Sequence, residues 1–124
     1  MLSDHTIGAV LLSQDLAKSR TFYVDGLGLQ PIDESESAIV YTSGGTRLTV
    51  TASTVGTKDD QTQASWQVDD LRAELDELAG RGVTPEDYDT DEITTVDGIA
   101  DQGSAWVAWV IDPDGNALGI EQAK

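Results

Sequence analysis

Cysteine is absent from the 124 residues, and histidine and methionine occur once each. Without cysteine there is no disulfide, no thiolate metal site and no cysteine nucleophile. A lone imidazole, His5 in the N-terminal stretch, leaves Ser-His-Asp and Cys-His catalysis with almost nothing to build on. Basic residues are also scarce: seven Lys and Arg stand against 23 Asp and Glu, a formal net charge of −16. Such a surface repels a phosphate backbone and an anionic membrane, so neither nucleic acid nor a lipid surface is an expected partner. No apolar run approaches the ~20 residues of a membrane helix. The opening Met1 to Val10 lacks the basic and apolar regions of a signal peptide. A cytoplasmic location is the expectation these absences leave.

What is present suffices for one ordinary domain: 39% hydrophobic residues over 124 positions can bury a real core. The acidic residues are scattered along the chain rather than gathered in a tail, which predicts a solvated surface on all sides. Self-repulsion then favours solubility, and the same composition suits a high-salt host.

Two segments begin alike. Ile7 to Ser13 is an apolar strand followed by Gln14-Asp15-Leu16 and a helical stretch through Phe22 and Tyr23. Ala64 to Val68 is followed by Asp69-Asp70-Leu71 and a helical stretch through Leu78. In each, an Asp can cap the helix by accepting backbone N–H groups. Leu71, Leu75 and Leu78 recur on one buried face, and Gly80 and Gly82 supply the stop. The two halves also end alike, with a glycine-containing turn and a strand: Gly44-Gly45 before Thr46 to Val50, and Asp114-Gly115-Asn116 before Ala117 to Ile120. Strands at about 29–34 and 38–42, and at about 84–89 and 105–111, complete βαβββ twice. The repeat period, Asp15 to Asp70, is roughly 55 residues. The first module spans about 6–53 and the second about 63–122, with a polar linker at about 53–62 that contains Asp59-Asp60. The stretch 91–103 reads as a long loop. Together these form one α+β domain.

The phrases that mark the modules carry a resemblance. Gln14-Asp15-Leu16, Ser19-Arg20-Thr21-Phe22-Tyr23, Gly26-Leu27-Gly28-Leu29, Val68-Asp69-Asp70-Leu71 and Asp112-Pro113-Asp114-Gly115-Asn116 are similar, in order and spacing, to those of the vicinal oxygen chelate proteins. These are the glyoxalase, bleomycin-resistance and extradiol-dioxygenase relatives. The resemblance covers nearly all of residues 6–122. It implies tandem βαβββ modules whose mixed sheet curves into a cup. The phrases themselves are mostly architectural, the last one being turn chemistry.

In the enzymes of that family, four strand positions direct His, Gln or Glu at a divalent ion. The resemblance places those positions at Gly8, Thr49, Gln63 and Gly119. Two glycines, a threonine and a glutamine do not make a transition-metal site. No metal, no other cofactor and no catalytic residue is therefore assigned, and the weight falls away from an enzyme. Strand alternation then sets out a helix-free face for a ligand. Val10, Leu12, Ser65 and Gln67 share that face with Gln63, joined by Arg47, Thr49 and Glu121. Tyr41 and Trp109 are aromatic candidates, Trp109 favoured by the resemblance, while Trp66 points toward a helix. Glycine at positions 8 and 119 leaves room for a flat or bulky molecule.

The resemblance implies a binding protein of the bleomycin-resistance kind. Its ligand would be a small hydrophobic or aromatic molecule, cations included, held in a pocket shared by a homodimer. Two alternatives stay open: a glyoxalase-like lyase or isomerase or an extradiol dioxygenase-type enzyme, and a non-catalytic structural or interaction domain.

Overall fold

The computed structural model describes residues 1–57 and 61–124. The chain runs β1 (Ala9–Ser13), α1 (Leu16–Thr21), β2 (Gln30–Glu34), β3 (Ala38–Ser43), β4 (Thr46–Ala52), β5 (Thr62–Gln67), α2 (Leu71–Gly80), β6 (Thr95–Val96), β7 (Ile99–Asp101), β8 (Ala105–Ile111) and β9 (Ala117–Ala123). The first sheet has the order β1-β4-β3-β2 and the second β5-β9-β8-β7-β6. In each, the first strand lies parallel to the last and the others pair antiparallel. This is the α+β architecture of paired βαβββ modules that the repeat predicts.

Local chemistry explains the repeat. The Asp15 carboxylate accepts the Lys18 N–H at 3.1 Å, and the Asp70 carboxylate accepts the Ala73 N–H at 3.0 Å. Each is an N-cap worth about 1 kcal/mol. After Thr21 the first helix widens into a π-type turn, Phe22–Gly26. That turn carries Tyr23 into the interior while Phe22 packs edge-on against it, ring centroids 5.2 Å apart. Gly44 and Gly45 both adopt positive φ (54° and 80°), the geometry of a two-residue turn that continues the twist of β3 and β4.

One core serves both modules. Leu11, Tyr23, Tyr41 and Val50 of the first join Leu71, Leu75, Leu118 and Ile120 of the second in one buried cluster. Burial of each large side chain contributes about 1.5–3 kcal/mol. Residues from the helix-bearing sides of both sheets thus share one core. A buried polar clasp reinforces the contact. Asp112, 4% exposed, accepts the Tyr23 hydroxyl at 2.6 Å and the Asn116 side-chain N–H at 2.8 Å through one oxygen. Its other oxygen accepts the backbone N–H groups of Asp114 and Asn116 at 2.9 and 2.8 Å. Asn116 in turn donates to the Leu12 carbonyl at 3.0 Å and accepts from the Thr57 hydroxyl at 2.6 Å. Burial, then the Asp112 hydrogen bond, push the Tyr23 phenol well above its ordinary range, so it stays a neutral donor.

Two expectations need correction. Residues 84–89 do not form a ladder strand: Pro85 removes one backbone donor, and beyond the Glu86 N–H to Trp109 carbonyl bond the segment pairs with Thr94 and Thr95 instead. The stretch read as a long loop instead contains the β6–β7 hairpin, and β7 takes the place beside β8 through Ala100↔Val107 and Asp101↔Trp106. The hairpin turns on Asp97 and Gly98, both at positive φ. The linker pair Asp59-Asp60 lies outside the described residues.

Candidate functional site

With the helix-bearing faces joined, the opposite faces are left to bind. In the first sheet, pairing Val10↔Thr49 and Leu12↔Thr51 sets these four on the helix-free face, with Arg47 one alternation before Thr49. Val10 is 64% exposed, Arg47 is exposed, and Leu12 and Thr49 are half-buried. A depression of about 270 Å³ opens here, lined among others by Ile7, Gly8, Val10, Arg47 and Thr49. Arg47 makes no ion pair among the described residues, whereas Arg20, Arg72, Arg81 and Lys124 each pair with a carboxylate.

In the second sheet, Ser65 and Trp109 flank Gly119, and Gln67 and Val107 flank Glu121. Ser65 and Gln67 are exposed; Gln63, Trp109 and Glu121 are half-buried. Gln63 sits at a register shift between Thr62 and Ala64, and its amide donates to the Gln61 carbonyl at 2.9 Å. The bulge turns Thr62 toward Trp109, whose indole N–H donates to the Thr62 hydroxyl at 3.1 Å. Tyr88 stands edge-on to Trp109 with ring centroids 5.5 Å apart. No sequence periodicity ties Tyr88 to β8, so nothing in the sequence points to this pair. Trp106 lies on the opposite face of β8, beneath the Lys124 ammonium at 5.1 Å.

Gln63, the bulged residue, falls outside the strand alternation, and eight of the other nine candidate residues belong to the helix-free faces, four of them (Ser65, Gln67, Trp109 and Glu121) on the second sheet. Tyr41 does not. It pairs with Leu48, has no exposed surface, and stacks on Tyr23 at 5.5 Å between centroids. An odd step along β3 from Val40, which pairs with Thr49, turns it into the core. Trp66 also faces the core, its indole N–H bound to the Ser43 hydroxyl at 2.9 Å.

The four family metal positions can be tested directly. Gly8 and Gly119 carry no donor atom, and a side chain at either would be tight against its neighbours. A β-carbon on Gly8 would lie 3.1 Å from the Arg47 carbonyl oxygen. On Gly119 it would lie 3.3 Å from the Ser65 β-carbon and 3.4 Å from the Thr62 methyl. The room expected at Gly119 is thus filled by Thr62, Ser65 and the Trp109 indole. Among the described residues, no three His, Cys, Asp or Glu side chains converge on one point. The donor set does not fit a divalent ion.

Comparison with known proteins agrees with this architecture. The model of the Glyoxalase/Bleomycin resistance protein/Dioxygenase superfamily matches residues 3–120. The chain belongs to that superfamily. Solved structures with the same fold include the bleomycin-binding protein of Streptomyces verticillus complexed with copper(II)-bleomycin, 22% identical with a TM-score of 0.70 over 97% of both chains. A glyoxalase/bleomycin resistance protein from Catenulispora acidiphila is 19% identical, TM-score 0.72, over 96% of this chain and 98% of that one. Lactoylglutathione lyase from Agrobacterium tumefaciens is 17% identical, TM-score 0.66, over 95% and 92%. No match is found among curated protein sequences. At these identities the likeness is one of fold, which this superfamily shares between binding proteins and enzymes. No helix among the described residues is long and apolar enough to cross a membrane.

Proposed function

We propose that this superfamily member is a metal-free binding protein for a small apolar or aromatic molecule, cationic ones included. The observation that carries the reading is the state of the four metal positions. Gly8, Thr49, Gln63 and Gly119 offer no converging donors, and neighbouring atoms crowd both glycines. What the helix-free faces offer instead is apolar surface at Val10, Leu12 and Trp109, with a few polar groups, Arg47, Thr49, Gln67 and Glu121, to orient a ligand. The structural likeness to a bleomycin-binding protein supports binding as the role. The whole chain acts as one binding unit, its modules at about 6–53 and 63–122 joined by the linker.

A second copy of the chain completes the site. Within one chain the helix-bearing sides are used up by the shared core, and Val10, Arg47, Ser65 and Gln67 stay exposed. β1 and β5 are edge strands of their sheets, with one row of backbone groups unpaired by the ladder. Two-fold apposition that sets the first module of one copy against the second module of the other covers both faces and both edges.

The test is a ligand titration with excess chelator present, over a panel of planar aromatic and cationic aromatic compounds, read at the Trp109 indole resonance. Sedimentation equilibrium is run beside it. Expected are saturable micromolar binding unaffected by chelator, weakened in Arg47→Ala and, read from the ligand's own resonances, in Trp109→Phe, and a dimer. Binding or substrate turnover that disappears with chelator would reverse the reading in favour of a lyase, isomerase or dioxygenase.

A further inference from the structure

A second cavity lies on the other side of the molecule, where the modules meet. It has a volume of about 240 Å³ and lies between the segment that follows the π-type turn, at Leu27 and Leu29, and α2, at Glu74 and Leu78. Leu29, Trp66, Val68, Leu78 and Ile120 make its apolar walls, and Glu74 supplies its one charged group. These residues share no position with the helix-free faces, so this crevice is separate from the site proposed above.

Three features distinguish it from an ordinary packing defect. The Trp66 ring is fixed from behind by its hydrogen bond to the Ser43 hydroxyl at 2.9 Å, so its face is a preformed wall and its N–H is satisfied. Glu74, by contrast, makes no ion pair and no side-chain hydrogen bond among the described residues, although Arg72 and Arg81 on the same helical segment pair with Asp76 and Glu77. Among the described residues no cationic side chain lines the crevice. An apolar slot with an unpaired glutamate in its lining, on a chain of net charge −16, complements a ligand with an apolar body and one positive end.

We infer that this inter-module crevice binds a small amphiphilic monocation, with a single aromatic ring against Trp66 and Leu78 and an ammonium group at the Glu74 carboxylate. The volume falls below the roughly 300 Å³ at which drug-sized pockets begin, which limits the ligand to about one ring. An anion of the same shape is excluded by Glu74, and a neutral analogue loses the ion pair. Because Trp66 and Ser43 belong to different modules, occupancy also braces the junction between them.

The test uses the 124-residue protein, uniformly nitrogen-15 labelled, titrated with 2-phenylethylammonium, 2-phenylethanol and phenylacetate in the lowest salt that keeps it folded. The three indole N–H resonances, one per tryptophan, are assigned with Trp66→Phe, Trp106→Phe and Trp109→Phe. Expected is a saturable shift of the Trp66 resonance by the ammonium, with Trp109 unmoved. The alcohol binds more weakly and the carboxylate leaves Trp66 unmoved. Glu74→Gln weakens the ammonium by about two- to fivefold, the effect of one exposed ion pair. Leu29→Trp, which fills the mouth, removes the response. Should that variant misfold, Glu74→Gln and the ligand series still decide. A Trp66 signal indifferent to the ammonium, an equal response to phenylacetate, or a Glu74→Gln protein that binds as tightly as the parent overturns the inference. The site proposed on the helix-free faces reads out at Trp109, so either proposal can fail alone.

Discussion

Replacing Tyr23 by phenylalanine deletes one hydroxyl from the interior and leaves the ring's packing against Phe22 and Tyr41 intact. The lost bond is the 2.6 Å contact to Asp112, a carboxylate 4% exposed that water cannot reach to replace it. Hydrogen bonds to charged groups contribute about 1.5–3 kcal/mol, and a buried acceptor left short of a donor lies at the upper end. Asp112 keeps three donors, two backbone and one from Asn116, so the cost stays near 2–3 kcal/mol rather than the full penalty of an isolated charge. At about 3–5 °C per kcal/mol for a chain of this size, Tm falls by roughly 6–15 °C. A pH signature accompanies the change. Burial raises the folded-state pKa of Tyr23 above its unfolded value of about 10. Its contribution is therefore complete below pH ~10 and is lost as pH rises toward the folded value, with a slope of up to about 1.4 kcal/mol per pH unit. Urea denaturation from pH 8 to 11 reads both quantities. Tyr23→Phe should start less stable and then lose less on going alkaline than the parent. Tyr41, also raised by burial, contributes equally to both proteins. Equal stability at pH 8, or parallel alkaline slopes, would refute the assignment of the clasp.

Other substitutions and conditions separate the remaining terms. Asn116→Ala severs the bonds to Asp112, the Leu12 carbonyl and Thr57 together; a loss of about 2–4 kcal/mol in urea denaturation is expected. Tyr41→Phe removes a fully buried hydroxyl that has no hydrogen-bond partner among the described residues, so stability should hold or rise by about 1 kcal/mol in the same assay. With a net charge of −16, calorimetric Tm should climb steadily as NaCl is raised from 0.1 to 1 M, where the screening length falls from ~10 to ~3 Å. A Tm indifferent to salt would remove self-repulsion, and with it the case for a high-salt setting.

What the sequence discloses and what it hides divide along the range of the interactions. The caps at Asp15 and Asp70, the leucines of α2 and the Gly44-Gly45 turn rest on chemistry within a few residues, and each was legible. So was the family resemblance, because its phrases are turns and caps at fixed spacing. The β6–β7 hairpin was equally local, and Asp97-Gly98 between Val96 and Ile99 was its sign; the polarity of 91–103 masked it. The face of Tyr41 needed the β3–β4 register, since one residue either way reverses it. The Tyr23 to Asp112 bond joins positions 89 apart, and Thr62 reaches Trp109 only through the bulge at Gln63. No sequence period reports contacts of that kind. The crowding at Gly119 is likewise tertiary: the sequence shows a missing side chain, and the structure shows its space filled.

The central claim is that this member of the superfamily works without a metal, and metal content tests it most directly. Untagged protein, purified without chelator and kept in salt that holds it folded, is assayed by plasma mass spectrometry against its chain concentration. The account predicts zinc, iron, manganese and nickel all far below one equivalent, with added metal ions failing to raise Tm. Near one equivalent of any of them per chain, retained through dialysis, would contradict it and direct attention back to catalysis.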